Sequence, residues 1–316
     1  TKEFLLVASH LDAWQPGVTC NATGNGLTLE LCRVLAAHRK DLDRDIWVVF
    51  WNGHEIAEAA GSTWFVDNYW DALERGCVNY MHIDSPGLKD STLYEIKCAD
   101  ELMKFAEANV REIADIDIRV MSLRKIGDMS CLGLGIPGVC QRMSYTQDYM
   151  DRNNGATLGW WNHTDQDGLD KYAPVVMEKD AKFTLSFLYD LATVEYLPYD
   201  FTAKFTNLIT VMQGLQEQHG EHIDLRDAIV SLEEAKRLVL DIQNSKGNGD
   251  REAYNRFMMH VSHCMTNVSQ TYASKYEQDS YGYYKLSHQL PLLADIGRLA
   301  KLDPASLEYG LVKTQL

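Results

Sequence analysis

Short apolar runs of strand length alternate with amphipathic stretches of helix length through the first half of the chain, and this constrains the fold more than any other feature. Phe4–Ser9, Ile46–Trp51 and Val78–Ile83 are rich in β-branched, aromatic and aliphatic residues with few polar interruptions. Runs of that kind belong to strands buried on both faces, as in parallel sheets covered by helices. Between them, Gly26–Lys40 places Leu27, Leu31, Val34 and Leu35 on one helical face, and Ala59–Leu73 reads as a second helix. Thr92–Ile96 and Gly138–Gln141 read as further strands, with a helix over Ala99–Ile113 between them. The expectation is an α/β domain over 1–195 with a mostly parallel sheet and helices on both faces.

The second half changes character. Ala173–Val194, Phe201–Gln218, Asp224–Asn244 and Glu252–Tyr276 all carry helical periodicity, broken by Leu197-Pro198-Tyr199-Asp200 and by Lys246-Gly247-Asn248-Gly249-Asp250. Four such helices predict a small up-down bundle, with an all-α domain over 196–316. Thr1-Lys2-Glu3 leads straight into the first apolar run. The expectation is that a second chain or a cleaved N-terminal segment packs against this one.

Composition narrows the function classes. A net charge of −15 repels phosphate backbones, which argues against nucleic-acid binding and fits a protein that takes cations or small polar substrates. No apolar run approaches the roughly 18 residues of a membrane span. Seven scattered cysteines without a CxxC pair read as free thiols in a reducing compartment, so a cytoplasmic location is expected.

In open α/β sheets, sites form at the carboxyl ends of strands. The first strand delivers Ser9-His10-Leu11-Asp12, the second Asn52-Gly53-His54-Glu55 and the third Asp84-Ser85-Pro86, and a later loop delivers His163-Thr164-Asp165. Imidazoles and carboxylates at successive strand ends are the ligand chemistry of zinc. Asp12 stands where its carboxylate would orient the His10 imidazole. His54-Glu55-Ile56-Ala57-Glu58 lacks the second histidine of a zinc-protease helix motif. The other histidines, His82 among them, read as surface or core residues.

This ordered set resembles the zinc-dependent exopeptidases that include bacterial aminopeptidases, glutamate carboxypeptidase II and the transferrin receptor. The resemblance rests on Ser9-His10-Leu11-Asp12-Ala13-Trp14, Asn21-Ala22-Thr23-Gly24, Trp51-Asn52-Gly53-His54-Glu55, Gly61-Ser62-Thr63-Trp64, Ile83-Asp84-Ser85, Tyr145-Thr146 and His163-Thr164. From Tyr196 onward the chain is similar to the helical dimerisation domain of the glutamate carboxypeptidase branch, so a homodimer is implied.

The family holds two zinc ions bridged by an aspartate. The resemblance implies that His10 and Asp84 hold one ion and Glu55 and His163 the other. The bridging position falls on Cys20 and the general-base position on His54. Both depart from the family pattern. A thiolate ligates or bridges zinc with a shift toward softer metals, and an imidazole serves as a base near neutral pH or as a further ligand. By the same resemblance Asp128, Arg142 and Tyr145 line the substrate pocket, where Arg142 is either a clamp for a substrate carboxylate or a surface arginine. The expected protein is a metal-dependent hydrolase of amide or peptide-like bonds, holding one or two zinc ions or another divalent metal. A repurposed enzyme acting on another small molecule and an inactive transferrin-receptor-like binding or assembly subunit are the alternatives.

Overall fold

The computed structural model describes residues 3–125, 127–277, 279 and 288–316; Thr1 and Lys2 lie outside them. Six strands form one sheet in the order β2-β1-β3-β6-β4-β5. They are β1 (Phe4–His10), β2 (Asp45–Trp51), β3 (Cys77–His82), β4 (Leu93–Cys98), β5 (Ile118–Ser122) and β6 (Gly138–Ser144). β1, β2, β3 and β6 run parallel; β4 pairs antiparallel with β6 and parallel with β5. The sheet is therefore mostly parallel, with one reversal at the β6–β4 junction.

Strand alternation sorts the side chains between two cores. Leu5 and Val7 of β1 face the helices α1 (Thr23–Ala37), α4 (Met103–Ile113) and α6 (Pro174–Thr193) through Leu27, Leu31, Val110, Phe183 and Phe187. Phe4, Leu6 and Ala8 face the other way, onto Phe65, Val66 and Leu73 of α3 (Ala60–Gly76). Helices thus cover both faces, which is why β1 reads as an unbroken apolar run. Two short helices, α2 (His54–Ala57) and α5 (Gln147–Arg152), sit in loops beyond strand ends.

The four-helix grouping fails at its first member. α6 packs on β6, α1 and α4 as part of the sheet's covering layer. Its apolar face includes Phe183, Phe187, Leu188 and Leu191. Helical periodicity reports an apolar face and says nothing of what covers it. The remaining helices are α7 (Thr202–His219), α8 (Arg226–Asn244) and α9 (Arg251–Gln270), followed by α10 (Ile296–Leu299) and α11 (Leu307–Gln315). α7 packs along α8, and α9 lies on the turn Ser130–Leu134.

A buried ion pair ties these helices to the sheet. Lys204 Nζ on α7 donates to Glu101 Oε2, just beyond β4, at 2.9 Å, and to Thr266 Oγ1 on α9 at 3.3 Å. Ser262 of α9 donates to the other Glu101 oxygen. Both charged side chains are 1% exposed or less.

All seven cysteines are free thiols. Among the described residues no helix is long and apolar enough to cross a membrane. β5 was not foreseen: Ile-Arg-Val-Met-Ser is short, polar in alternation and half-exposed at the sheet edge, so it makes no apolar run.

Candidate metal centre

The parallel register brings three strand ends level. His10 of β1 pairs with Trp51 of β2, and Ala8 pairs with His82 of β3. Chain leaving these ends carries His10, then His54 and Glu55, then Asp84, to one edge of the sheet. Two loops complete the group. One, Val18–Ala22, carries Cys20 (its peptide to Asn21 is cis); the other carries His163 in a left-handed backbone conformation, φ 61°.

Cys20 lies at the centre. Its Sγ is 3.7 Å from His10 Nε2, 3.4 Å from Glu55 Oε1, 3.9 Å from Asp84 Oδ1 and 3.6 Å from His163 Nε2. The outer donors approach in two pairs, His10 Nε2 to Asp84 Oδ1 at 3.4 Å and His163 Nε2 to Glu55 Oε2 at 3.0 Å. Adjacent ligands of a tetrahedral zinc ion stand roughly 3.3–3.8 Å apart, given metal–ligand bonds of about 2.0–2.3 Å. His10, Cys20 and Glu55 each offer an atom within 4.8 Å of the others, a spacing that fits such an ion, and Asp84 and His163 flank them. The five sequence-predicted metal residues are all brought together.

Electrostatics point the same way. Burial pushes the Cys20 thiol well above its ordinary pKa, and the nearby Asp84 and Glu55 carboxylates push it further. Burial opposes the charged form of Asp84, but the hydrogen bond from His10 and the fields of His10, His82 and Arg142 hold its carboxyl far below the usual range. His10 answers in kind: burial lowers its pKa, and the bond to Asp84 outweighs this and raises it. Without an ion the neutral thiol donates to Glu55 Oε1, and a divalent cation at this point would favour the thiolate instead.

His54 stands beside the cluster. Its ring stacks on that of His10 with centroids 4.0 Å apart. Its Nδ1 meets Asp128 Oδ2 at 2.9 Å, and the Asp128 side chain is wholly buried. Burial depresses the His54 pKa, while the Asp128 hydrogen bond and charge more than offset it. Asp128 is therefore the orienting partner of His54 rather than simply a pocket wall.

Three supporting residues act differently from expectation. His10 Nδ1 is held by the Asp12 main-chain oxygen at 2.8 Å, not by the carboxylate, whose nearer oxygen is 3.8 Å away. The Asp12 carboxylate instead accepts the backbone N–H groups of His54 (3.2 Å) and Glu55 (2.9 Å), fixing the turn that presents both. Arg142 is buried, and its Nη1 donates to the Asp84 carbonyl at 3.2 Å and to Cys140 Sγ at 3.7 Å. It braces the third strand end, where a substrate clamp was expected. The Tyr145 hydroxyl donates to the Lys89 carbonyl and its ring stacks on Tyr149, so it joins a small aromatic cluster with Trp161 instead of the donors.

Sequence reasoning missed the residues that hold the Cys20 loop. The Asp167 carboxylate accepts the N–H groups of Thr19 and Cys20 and the Thr19 hydroxyl. Asn21 donates to Ser9 Oγ and the Ile83 carbonyl and accepts from Ser85 N and Gly24 N, joining two strand ends to α1. A Cβ on Gly24 would stand 2.1 Å from Asn21 Oδ1, which explains the glycine. Asp167 lies four residues past His163, the one sequence signal that linked it to the site.

His82 sits behind His54, ring centroids 6.2 Å apart, with Nδ1 3.2 Å from the Tyr80 hydroxyl. Burial pushes its pKa down to about 4, and burial likewise pushes His263 on α9 to about 4. Unfolding returns both to about 6.5, so between pH 6.5 and 4 the unfolded chain binds more protons and stability falls as pH falls. Each contributes roughly 3 kcal/mol at neutral pH that is lost across this window. Urea denaturation at pH 7 and pH 4.5 is expected to show the loss, and His263→Gln is expected to reduce it. An equal pH dependence in the variant would contradict the assignment.

A family model described as peptidase family M28 matches residues 1–179. No curated protein matches the chain. Among solved structures, BSAP, a zinc aminopeptidase from Bacillus subtilis, is similar with TM-score 0.52 and 16% identity over 61% of this chain and 47% of that one. LapA aminopeptidase from Legionella pneumophila is similar with TM-score 0.51 and 16% identity over 61% of this chain and 52% of that one. The chain spans about half the length of these structures, and likeness at such identity speaks for the fold. With the match covering more than half of its 316 residues, the chain belongs to peptidase family M28.

Proposed function

We propose that the protein is a metal-dependent hydrolase of amide or peptide-like bonds, with zinc held by His10, Cys20, Glu55, Asp84 and His163. The observation that carries the reading is the convergence of the other four donors on Cys20 at one sheet edge. Zinc bound there would polarise a substrate carbonyl and make water nucleophilic near neutral pH. The chain supplies the proton handling. Ionised Asp128 accepts only, so Nδ1 of His54 carries the hydrogen of their bond and Nε2 is the nitrogen free to take a proton. His54 Nε2 removes the proton of the attacking water and returns it to the leaving nitrogen. Asp12 holds His54 and Glu55 in register through their main-chain N–H groups.

A buried Cys20 surrounded by carboxylates favours a second reading, hydrolysis or cyclisation of a small non-peptide amide, because the altered centre changes how water is activated. Working in a reducing compartment such as the cytoplasm would keep Cys20 a thiol. Val230 and Leu238, exposed on α8, support a homodimer through the 196–316 region.

The test is metal content together with turnover of aminoacyl amides, peptides and small cyclic amides, with and without a chelator. At least one bound ion and a fall of roughly a hundredfold or more on chelation are expected, as for removal of a catalytic Lewis acid worth several kcal/mol. Purified protein with no stoichiometric metal would sink the proposal, and turnover confined to small amides would favour the second reading.

A further inference from the structure

We infer that the Tyr80 hydroxyl is a positioning group for the His54–Asp128 pair: carried on β3 and held by the Trp51 indole, it fixes the main chain of Asp128 and through it the aim of the imidazole. The inference deepens the function proposed above, on which its catalytic meaning rests.

The Asp128 carboxylate makes one hydrogen bond to the imidazole. Its Oδ2 accepts from His54 Nδ1 at 2.9 Å, while Oδ1 is buried and bonds nothing among the described residues. One bond does not set where a carboxylate points, so its aim depends on where the main chain puts it. That main chain lies in the left-handed region, φ 57°, which residues other than glycine adopt uncommonly. Two bonds hold it there. The Asp128 N–H donates to the Glu58 carbonyl at 2.7 Å, and the Asp128 carbonyl accepts from the Tyr80 hydroxyl at 2.8 Å. The first partner belongs to the turn that carries His54, since the Glu58 N–H donates to the His54 carbonyl at 2.7 Å. It moves with the imidazole. The second partner stands on the sheet and supplies an outside reference.

Tyr80 and Trp51 are both buried. Trp51 Nε1 donates to the Tyr80 hydroxyl oxygen at 3.0 Å, and His82 Nδ1 lies 3.2 Å from the same oxygen. A phenol has one hydrogen to give and two lone pairs, and an indole N–H only donates. The indole therefore takes a lone pair, and the hydrogen goes to the Asp128 carbonyl, the nearer acceptor. Burial, with the Asp128 charge adding to it, pushes the Tyr80 pKa well above its ordinary value, so the oxygen keeps that hydrogen. Trp51 ends β2 three residues before His54, and Tyr80 lies in β3 four residues before Asp84. The contacts close a ring from Trp51 to Tyr80, Asp128 and His54 and back along the chain. Its strands are the two that lead to Glu55 and Asp84, so the ring ties the imidazole to the frame that carries the donors. Without the hydroxyl, the Asp128 carbonyl and the indole N–H are left buried and unpaired, and both must shift to find partners.

The test uses the full chain with ¹⁵N-labelled histidine. Asp128→Asn marks the His54 Nδ1 resonance when the charged partner is gone. Tyr80→Phe is expected to move that resonance at least halfway to the Asp128→Asn position, with the exposed His38 as an unmoved reference. Ser62→Ala is the structural control. It removes the 2.9 Å bond from α3 to Ser130, two residues beyond Asp128, and leaves the Tyr80 hydroxyl in place, so His54 is expected to stay at its wild-type position. In Tyr80→Phe metal content is expected to stay at the wild-type level, because the hydroxyl meets Trp51, His82 and Asp128 rather than a donor. There kcat is expected to fall roughly ten- to a hundredfold at unchanged KM, the cost of about 1 Å of misplacement. If Tyr80→Phe does not fold, 3-fluorotyrosine at position 80 keeps the shape and strengthens the hydroxyl as a donor, and a displaced His54 resonance is expected there as well. A wild-type His54 resonance in the folded protein overturns the inference whatever the activity, and so does an equal displacement in Ser62→Ala. Absence of any turnover in the wild type would count against the hydrolase reading and leave the resonance to decide this one.

Discussion

Replacement of Cys20 by Ala is expected to strip the centre of its metal, lowering affinity by more than the roughly 10–100-fold that removal of an outer-sphere residue costs. The thiol is the one donor within 4 Å of all four others, so no remaining pair of ligands compensates for it. Replacement by Asp is expected to behave differently. It sets a third carboxylate against Glu55 and Asp84, and like charges at that distance destabilise the metal-free protein. Zinc then restores stability by mass action, about 2.7 kcal/mol at a concentration one hundred times Kd. Harder oxygen ligation also shifts preference away from soft metals such as cadmium. Elemental analysis and thermal melts of the three proteins, with and without zinc, decide the matter. Equal metal content in wild type and Cys20→Ala would remove Cys20 from the ligand set.

The second large effect lies away from the centre. Glu101→Leu leaves the Lys204 ammonium buried without its counter-charge, and breaking such a pair costs about 3–5 kcal/mol. Ser262 and Thr266 do not rescue it, since a hydroxyl contributes a dipole against a full charge. Adding Lys204→Met is expected to recover most of the loss, because an apolar pair of similar volume needs no desolvated ions. Urea unfolding of the two variants checks this. A double variant as unstable as the single one would mean that packing, not charge, is what Glu101 supplies.

The four outer donors were legible because a parallel sheet delivers its strand ends to one edge, and His10, Glu55, Asp84 and His163 each follow an apolar run or sit in a marked loop. Cys20 was legible only through the resemblance to the zinc-dependent exopeptidases, which puts their bridging position there. The partners of these residues were not. Asp128 is 74 positions from His54, and Lys204 is 103 from Glu101. No local pattern encodes such a bond, since it depends on how two elements meet. Asp12 was assigned to the correct neighbourhood but through the wrong atom, because sequence specifies a side chain and not which of its oxygens or main-chain groups the fold turns inward. The placement of α6 failed for a related reason. An apolar stripe on Phe183, Phe187 and Leu191 fits a bundle as well as a sheet face, and only the sheet's need for cover distinguishes them.

The bond from Asp167 to the Cys20 loop orders events during synthesis. Thr19 and its acceptor are 148 residues apart, so at roughly 5–20 residues per second the ribosome needs on the order of ten to thirty seconds to supply it. Until then the loop has no anchor at that end, and His163, made four residues before Asp167, is itself absent for nearly as long. The nascent chain holds an unpaired thiol and three of its four companions with nothing to close them. On the proposed function, metal acquisition would be a step of maturation rather than of nucleation, because His163 and the Asp167 anchor arrive together, long after the other donors.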